Sequence, residues 1–445
     1  MKRIMQRGRQ AGRQGQDMKR SELRTPCYVV QERKLRENLE ILREIREETG
    51  CHILLAQKAF SMYRVYPLIG QYLDGTTASG LHEARLGYEE MGKENHIFSP
   101  AYKEEEMPEI LRMCDHIVFN SPAQFQKYKD QVRAYGCGNN GQIISADAGS
   151  TCGERIGRRS MGLRINPECS TQEGHAIYDP CAPFSRLGTT LERMQTELTE
   201  EEISELDGLH FHTLCEQNSD DLATTLRVVE EKFGKYLYQM KWVNFGGGHH
   251  ITRKDYDCEL LKRCIRHVKE TYDVEVYLEP GEAVALNAGE LITEVLEIVD
   301  NGMKIAILDA SAACHMPDVL EMPYRPPLKG AVSMEDAGAE SNALCRDERE
   351  TAKDGSARGD YGARRQYVYR LAGPTCLAGD VIGDYVFDHP LQCGEKLVFQ
   401  DMAIYTMVKT NTFNGMNLPD IVLEREDGEC ETVRTFGYED FKSRL

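Results

Sequence analysis

The sequence predicts an α/β protein: a closed (β/α)8 barrel joined to a C-terminal, mostly β domain. Three features predict it. Eight short β-branched or apolar runs alternate with longer amphipathic stretches between residues 51 and 279. Strand alternating with helix implies parallel strands, and eight such units imply closure. Polar residues collect at the ends of those runs, and after Asn287 the alternation gives way to strand-like runs between turns. An open doubly wound sheet is the structural alternative.

In chain order, 1–22 is basic and Gln/Gly-rich and lacks the apolar segment of a secretory signal, so a disordered extension is expected there. Residues 23–32 hold a strand-like run expected to join the β domain. The barrel is expected over 33–286, with strands at 51–57, 75–79, 96–99, 116–120, 161–165, 207–213, 242–245 and 274–279. Between them, 81–91 carries Leu81, Ala84, Leu86 and Tyr88 among charges, and 220–233 carries Leu222, Leu226, Val229 and Phe233 at helical spacing. The β domain is expected over 287–445, with strands at 290–300, 305–309, 368–371, 396–400 and 432–436. Two stretches break the rhythm. Residues 136–159, rich in Gly, Asn and Arg, read as a loop insertion, and 330–365, dense in charge with little apolar content, as a charged insertion.

At 445 residues the chain is too long for one ordinary core. No apolar run approaches the roughly 20 residues of a membrane helix, so no membrane partner is expected and a cytoplasmic location is. The net charge of −18 repels nucleic acid, whose binding rests on neutralising phosphates, and permits cationic small substrates. The 15 cysteines include no Cys-x-x-Cys pair, which argues against a zinc ribbon or thioredoxin-like site and for reduced, mostly buried thiols.

Barrel active sites form at the C-terminal ends of the strands. There the sequence places Lys58, Ser79, Asn120, Asn166, His212, Gly246-Gly247-Gly248 and Glu279. Lys58 follows the apolar run 52–57; desolvation there would lower its pKa and free the amine for Schiff-base formation. A surface lysine capping the next helix is the plain alternative. The glycine triplet follows a strand and precedes a helical pattern at 254–272, so its N–H groups can approach a phosphate without Cβ obstruction; otherwise it is a flexible turn. Glu279-Pro280-Gly281 ends the last barrel run. A carboxylate there can keep a pyridine nitrogen protonated and make the ring a better electron sink, or be an ordinary strand-end acid.

His210 and His212 lie two apart on one expected strand and share a face. Stacking of His212 on a flat ring is favoured over metal ligation, and core packing is the plain alternative for His210. No carboxylate-rich motif completes a metal site beside this pair or beside His249-His250, so no metal is expected. Downstream, Gly373-Pro374-Thr375-Cys376 makes a tight turn that exposes a cysteine, and Tyr405 offers a hydroxyl able to donate to a phosphate. A buried structural cysteine and a packed tyrosine are the plain alternatives.

Taken in order, Lys58, His212, the glycine triplet, Glu279-Pro280-Gly281, Cys376 and Tyr405 resemble the fold-type III, alanine-racemase-like decarboxylases, which use pyridoxal 5′-phosphate. Within that group the stretches 54–60, 208–216, 244–250, 278–283 and 309–318 are similar to the carboxynorspermidine (carboxyspermidine) decarboxylases, and the resemblance runs over about 25–422. It implies that Lys58 carries the cofactor, His212 stacks on its ring, Glu279 pairs with the pyridine nitrogen, and Gly246, Gly247, Gly248 and Tyr405 hold the phosphate. It implies that Cys376 comes from a partner subunit and protonates the product carbanion, so that a homodimer has two composite sites. The implied reaction is loss of CO2 from carboxynorspermidine or carboxyspermidine, giving norspermidine or spermidine in polyamine biosynthesis.

The chain also departs from its relatives. Glu282 stands where diaminopimelate decarboxylases place an arginine for a distal carboxylate. Leu377 follows the cysteine where ornithine decarboxylases have an aspartate, and Leu214-Cys215 replace their Gly-Ser after the stacking histidine. Glu282, Asp318 and His249 are therefore expected to contact the nitrogens of a carboxypolyamine substrate. The competing readings are a diaminopimelate-, ornithine- or arginine-type decarboxylase, a racemase, a non-catalytic pyridoxal-phosphate carrier, and a metal-binding barrel built on the histidines. The 373–376 turn argues against the carrier, which needs no subunit-bridging acid.

Overall fold

A computed structural model describes residues 18–135, 158–172, 176–322, 324–336 and 366–445. The expected extension up to residue 17, nearly all of the insertion at 136–159, and 337–365 of the second insertion lie outside the described residues. The chain divides into two compact units: Arg36–Leu286, and Met1–Leu35 with Asn287–Leu445.

Strand β1 (Cys27–Gln31) runs into the helix Glu32–Thr49. Eight strands follow: β2 (His52–Ala56), β3 (Gly75–Ala78), β4 (Glu94–Phe98), β5 (His116–Phe119), β6 (Ser160–Arg164), β7 (Gly208–His210), β8 (Trp242–Asn244) and β9 (Glu275–Leu278). Each pairs in parallel with the next, and β9 closes on β2 with His52 opposite Tyr277. The predicted barrel is therefore present, and all eight predicted runs supply its strands. β3 and β8 are buried throughout, as expected of strands covered by helices outside and filled within. Gly162 and Gly208 have no side chain because the Trp242 ring lies against them; a Cβ would meet it at 2.4 and 2.1 Å.

The helix Ser219–Leu237 buries Leu222, Leu226, Val229 and Phe233, the positions whose spacing predicts it. The single helix expected over 81–91 is broken in two: Leu81–Leu86 is α-helical and Gly87–Met91 widens into a π turn. A Cβ on Gly87 would meet Thr76 Oγ1 at 2.3 Å, so the missing side chain lets this turn press onto β3.

The second unit contains β10 (Gly289–Asp300), β11 (Lys304–Leu308), β12 (Ala331–Ser333), β13 (Tyr367–Ala372), β14 (Val381–Phe387), β15 (Lys396–Gln400), β16 (Asp420–Glu424) and β17 (Cys430–Arg434). They form one mixed sheet in the order β12-β14-β13-β11-β10-β1-β16-β17, with β15 also paired to β10. The first half of β10 pairs with both β1 and β15; a bulge between Val295 and Glu297 accompanies its passage to β11. Tyr28, Leu291, Tyr369, Tyr385 and Phe399 are among the side chains that fill the core on this sheet.

Three strands were not anticipated. β14 carries Gly383-Asp384, two poor strand formers, in its interior. In the structure Gly383 admits the Arg325 stem, which a Cβ would meet at 2.5 Å, and Asp384 pairs bidentately with Arg370 across the ladder at 2.8 and 3.0 Å. β12 lies inside the expected charged insertion but pairs with β14. β16 pairs in parallel with β1, almost four hundred residues away in sequence. From Met18 onward the expected disordered extension is instead fastened to the sheet: Met18 N–H donates to the Cys430 carbonyl at 3.1 Å, and Arg20 pairs with Glu290 and Glu424. Among the described residues no helix is long and apolar enough to cross a membrane.

Candidate active site

At the C-terminal ends of the barrel strands, Lys58, His212, the glycine triplet, Glu279 and Glu282 lie on neighbouring turns. The turn that carries Lys58 is locked on both sides. Ala59 N–H donates back to Ala56, and the buried Gln57 side chain accepts from Tyr66 OH at 3.0 Å and donates to the Glu83 carbonyl at 2.8 Å. Gly281 packs directly on this turn: a Cβ there would meet Ala59 Cβ at 2.6 Å and Ala56 Cβ at 3.2 Å. Lys58 keeps a face open to the barrel mouth while protein surrounds its amine on the other sides. That desolvation, and next the Arg164 guanidinium, lowers its pKa below the ordinary lysine value, with Glu279 and Glu282 pulling the other way.

Glu279 is buried and fully engaged. Its Oε1 accepts from Asn244 Nδ2 at 2.8 Å and its Oε2 from His210 Nε2 at 3.2 Å. Burial alone would raise its pKa; His210, then the His96 charge and the Asn244 hydrogen bond, outweigh that and hold it down to about 2. Burial pushes His210 the opposite way, toward the neutral imidazole, which suits a ring donating one N–H to a carboxylate. β7 ends at His210, so the two histidines do not share one strand face as expected. His210 faces Glu279, whereas His212, beyond the strand, accepts the Gly247 N–H on Nδ1 at 3.1 Å. Burial, and then the nearby Lys58 and Arg164 charges, keep His212 well below the usual histidine pKa. It is a flat, uncharged ring in a fixed orientation.

Each glycine of the triplet is needed by what it touches. A Cβ would meet the Phe211 carbonyl at 2.5 Å from Gly246, the Glu279 carbonyl at 2.7 Å from Gly247, and the Leu214 carbonyl at 2.0 Å from Gly248. Gly246 and Gly248 also adopt φ of +71° and +81°, a region that favours glycine. Gly246 N–H donates to Asn244 Oδ1 and its carbonyl accepts from Glu279 N–H, both at 2.8 Å, so the triplet, Asn244 and Glu279 form one rigid piece.

Of the expected substrate contacts, Glu282 is buried at the start of the short helix Glu282–Ala285, close enough to Lys58 and Cys215 to act on both electrostatically. The Cys215 thiol is pushed up to about 12, by burial first and then by Glu282 and Glu216. His249 is buried, approaches the Phe245 carbonyl through Nε2 at 3.4 Å, and is held down to about 4 by burial. Its buried Nδ1 has no partner and, in the neutral ring, is an acceptor.

Asp318, Cys376 and Tyr405 belong to the other unit. Asp318 is buried and already paired, accepting from Lys409 Nζ at 2.5 Å. Cys376 is exposed, and its N–H donates to Asn414 Oδ1 at 2.8 Å. Its turn is pinned by the buried Asp380 carboxylate, which accepts from Thr375 Oγ1 at 2.6 Å, Ser311 Oγ at 2.9 Å and Ala313 N–H at 3.2 Å. Tyr405 has φ of +53°, strained for a non-glycine residue, and Lys409 lies over its ring.

A family model described as "Pyridoxal-dependent decarboxylase, C-terminal sheet domain" matches residues 27–403. The chain is 40% identical to a carboxynorspermidine/carboxyspermidine decarboxylase of Campylobacter jejuni, over 95% of this chain and 98% of that one. It is 37% identical to a carboxyaminopropylagmatine decarboxylase of Synechocystis, over 96% of each. The crystal structure of carboxynorspermidine decarboxylase from Campylobacter jejuni, complexed with norspermidine, superposes with a TM-score of 0.78 at 39% identity, covering 95% of this chain and all of that one.

The chain belongs to the pyridoxal-dependent decarboxylases. This decarboxylase has residues that fit pyridoxal phosphate. It offers a desolvated amine, a flat neutral ring, an ionised buried carboxylate, and a strand-end cradle that any Cβ would fill. Sequence reasoning missed three residues of this cluster. Arg164, at the end of β6, donates to the His212 carbonyl at 3.2 Å and lies 4.5 Å over the Phe98 ring. A charged residue inside an apolar strand was its available signal. Asn244 was hidden in the run before the glycines, and Glu83, half-buried and close enough for the Lys58 charge to act on it, looked like one more helix-surface charge.

Proposed function

We propose that this decarboxylase removes CO2 from a carboxylated polyamine, carboxynorspermidine or carboxyspermidine, releasing norspermidine or spermidine. The observation that carries the substrate reading is Glu282, a buried carboxylate within reach of the Lys58 amine. A second acid group on the substrate would be repelled there, while a protonated secondary amine would be held. The 40% identity to the Campylobacter enzyme over nearly the whole chain supports the same reading.

When bound, pyridoxal phosphate supplies an aldehyde for the substrate's α-amine and a ring that accepts the electrons left by departing CO2. Lys58 presents an amine whose lowered pKa keeps it reactive. Glu279, ionised and held by His210 and Asn244, would accept a hydrogen bond from a protonated ring nitrogen. Neutral His212 would give the ring a flat support, and Gly246, Gly247 and Gly248, with Tyr405 as the expected hydroxyl donor, would take the phosphate. Glu282 and His249 bind substrate nitrogens; Asp318 does so only by sharing its charge with Lys409. Cys376 Sγ gives its proton to the substrate's Cα once CO2 has left, and recovers one from water before the next turnover. Exposed Leu377 and Phe413 beside the Cys376 turn support docking against a second copy, whose site this cysteine completes.

Product analysis tests the reading. The loaded enzyme is given carboxynorspermidine, carboxyspermidine, diaminopimelate and ornithine, with Lys58→Ala as the blank. Norspermidine or spermidine formed only by the intact enzyme is the expected result. Turnover of diaminopimelate or ornithine alone overturns the polyamine assignment. Glu282→Arg should lower kcat/KM for the carboxypolyamine about 100-fold, because like charges in contact cost several kcal/mol.

A further inference from the structure

The opposite end of the barrel holds a second cluster of polar groups. Glu94 and His96 are the first and third residues of β4 and share its inward face, while His116 opens β5 and stands in register with His96. The two imidazole rings stack, with centroids 4.0 Å apart and planes within 15°. Both Nε2 atoms approach a single oxygen, Glu94 Oε1, at 2.8 Å from His96 and 3.4 Å from His116. Tyr277 OH donates to that same oxygen at 3.1 Å, and the Trp242 ring closes the cluster 5.0 Å from His116. His96 is fully buried, and its Nδ1, like that of His116, has no hydrogen-bond partner.

Barrel interiors are ordinarily filled by branched apolar side chains. Two imidazoles and a carboxylate in that layer lose hydration that their mutual contacts replace only in part. We propose that Glu94, His96 and His116 bind a borderline divalent cation, Zn2+ being the best match, with water in the remaining position. One ligand atom from each of the three residues lies within 4.8 Å of the others. Nitrogen and oxygen ligands at their usual distances around tetrahedral zinc sit roughly 3.3 Å apart. To reach that, the His96–Glu94 contact must open by roughly half an ångström, and one imidazole must turn out of the stack so that both Nε2 lone pairs converge on the ion. Two imidazoles and one carboxylate also suit zinc better than calcium or magnesium, which take oxygen ligands. Partly exposed Glu94 and His52 give solvent access from the N-terminal face. The cation would tie β4 to β5 at the strand ends opposite Lys58, and it would take no part in decarboxylation. The two histidines are twenty residues apart and meet only through strand register, so a search for histidines close in sequence passes over them.

The test uses cofactor-loaded enzyme, stripped with a chelator, dialysed against ZnCl2 and assayed for bound zinc. One zinc per chain is expected, retained by a His267→Ala/His389→Ala double variant that removes two exposed histidine–carboxylate pairs. Glu94→Gln should weaken zinc by more than about tenfold, since losing even a residue that only supports a ligand costs that much. Zinc binding equal in Glu94→Gln and the wild type, or lost in the double variant, overturns the proposal. Should Glu94→Gln fail to fold, X-ray absorption of the zinc-loaded wild type decides: two imidazoles in the zinc shell support the site, and none overturns it. Retained cofactor absorbance in each variant reports the intact fold.

Discussion

Lys58 and Glu279 solve opposite problems in one crowded space. The lysine must lose a charge and the glutamate must keep one. Burial works for the first and against the second, so Glu279 needs two donors while Lys58 needs none. A pH experiment follows. The amine combines with an aldehyde only when unprotonated, so a lowered pKa moves the rising limb of cofactor reloading below the ordinary lysine value of 10.5. Glu279 pulls the Lys58 pKa up; Glu279→Gln should therefore shift that limb to still lower pH, read from cofactor absorbance after adding pyridoxal phosphate to stripped enzyme. An unchanged or higher limb would separate the two residues. Gly247→Ala probes the support for His212. Its Cβ would press on the Glu279 carbonyl and on His212 Cε1, and a cost of about 1–3 kcal/mol is expected in chemical denaturation, with weaker cofactor binding. Gly80→Ala, where a Cβ would meet nothing within 4 Å, is the control.

Among the elements, the turns matter more than the strands. The Cys376 turn depends on one carboxylate that gathers donors from two segments, Ser311 and Ala313 on one side and Thr375 on the other. Asp380→Ala should destabilise the protein by about 2–3 kcal/mol in denaturant titration, since hydrogen bonds to charged groups are lost and buried donors are stranded. Asp380→Asn should lose less. Strands and helices with a clean period were legible in the sequence. The eight barrel runs and the Ser219–Leu237 helix could be read because periodicity is a local property. What escaped was fixed by partners remote in the chain. β14 went unread because Gly383 and Asp384 in its interior find their reasons only in Arg325 and Arg370. His210 looked like core until Glu279, on another strand, gave it a carboxylate. Lys58, His212, Glu279 and the triplet were legible as candidates because each lies just past a strand end and carries chemistry that end can use.

For the molecule as a whole, the composite-site reading makes a sharp prediction. Lys58→Ala and Cys376→Ala are each expected to be inactive or nearly so. Unfolded together and refolded as a mixture, they should recover about a quarter of wild-type activity, because half the random dimers are mixed and each mixed dimer has one intact site of two. No recovery would place Lys58 and Cys376 of one site on the same chain. The sheet order has a different consequence, one of timing. β1 is made first but lies between β10 and β16, which are made late. At about 5–20 residues per second, synthesis reaches the end of β16 on the order of ten seconds after the last barrel residue. The barrel segment is complete on the ribosome while its leading strand still waits for both neighbours. β10 follows the barrel directly and can cover one edge at once, so until β16 arrives β1 keeps one bare edge, and this segment waits for its last partner longer than any other strand described.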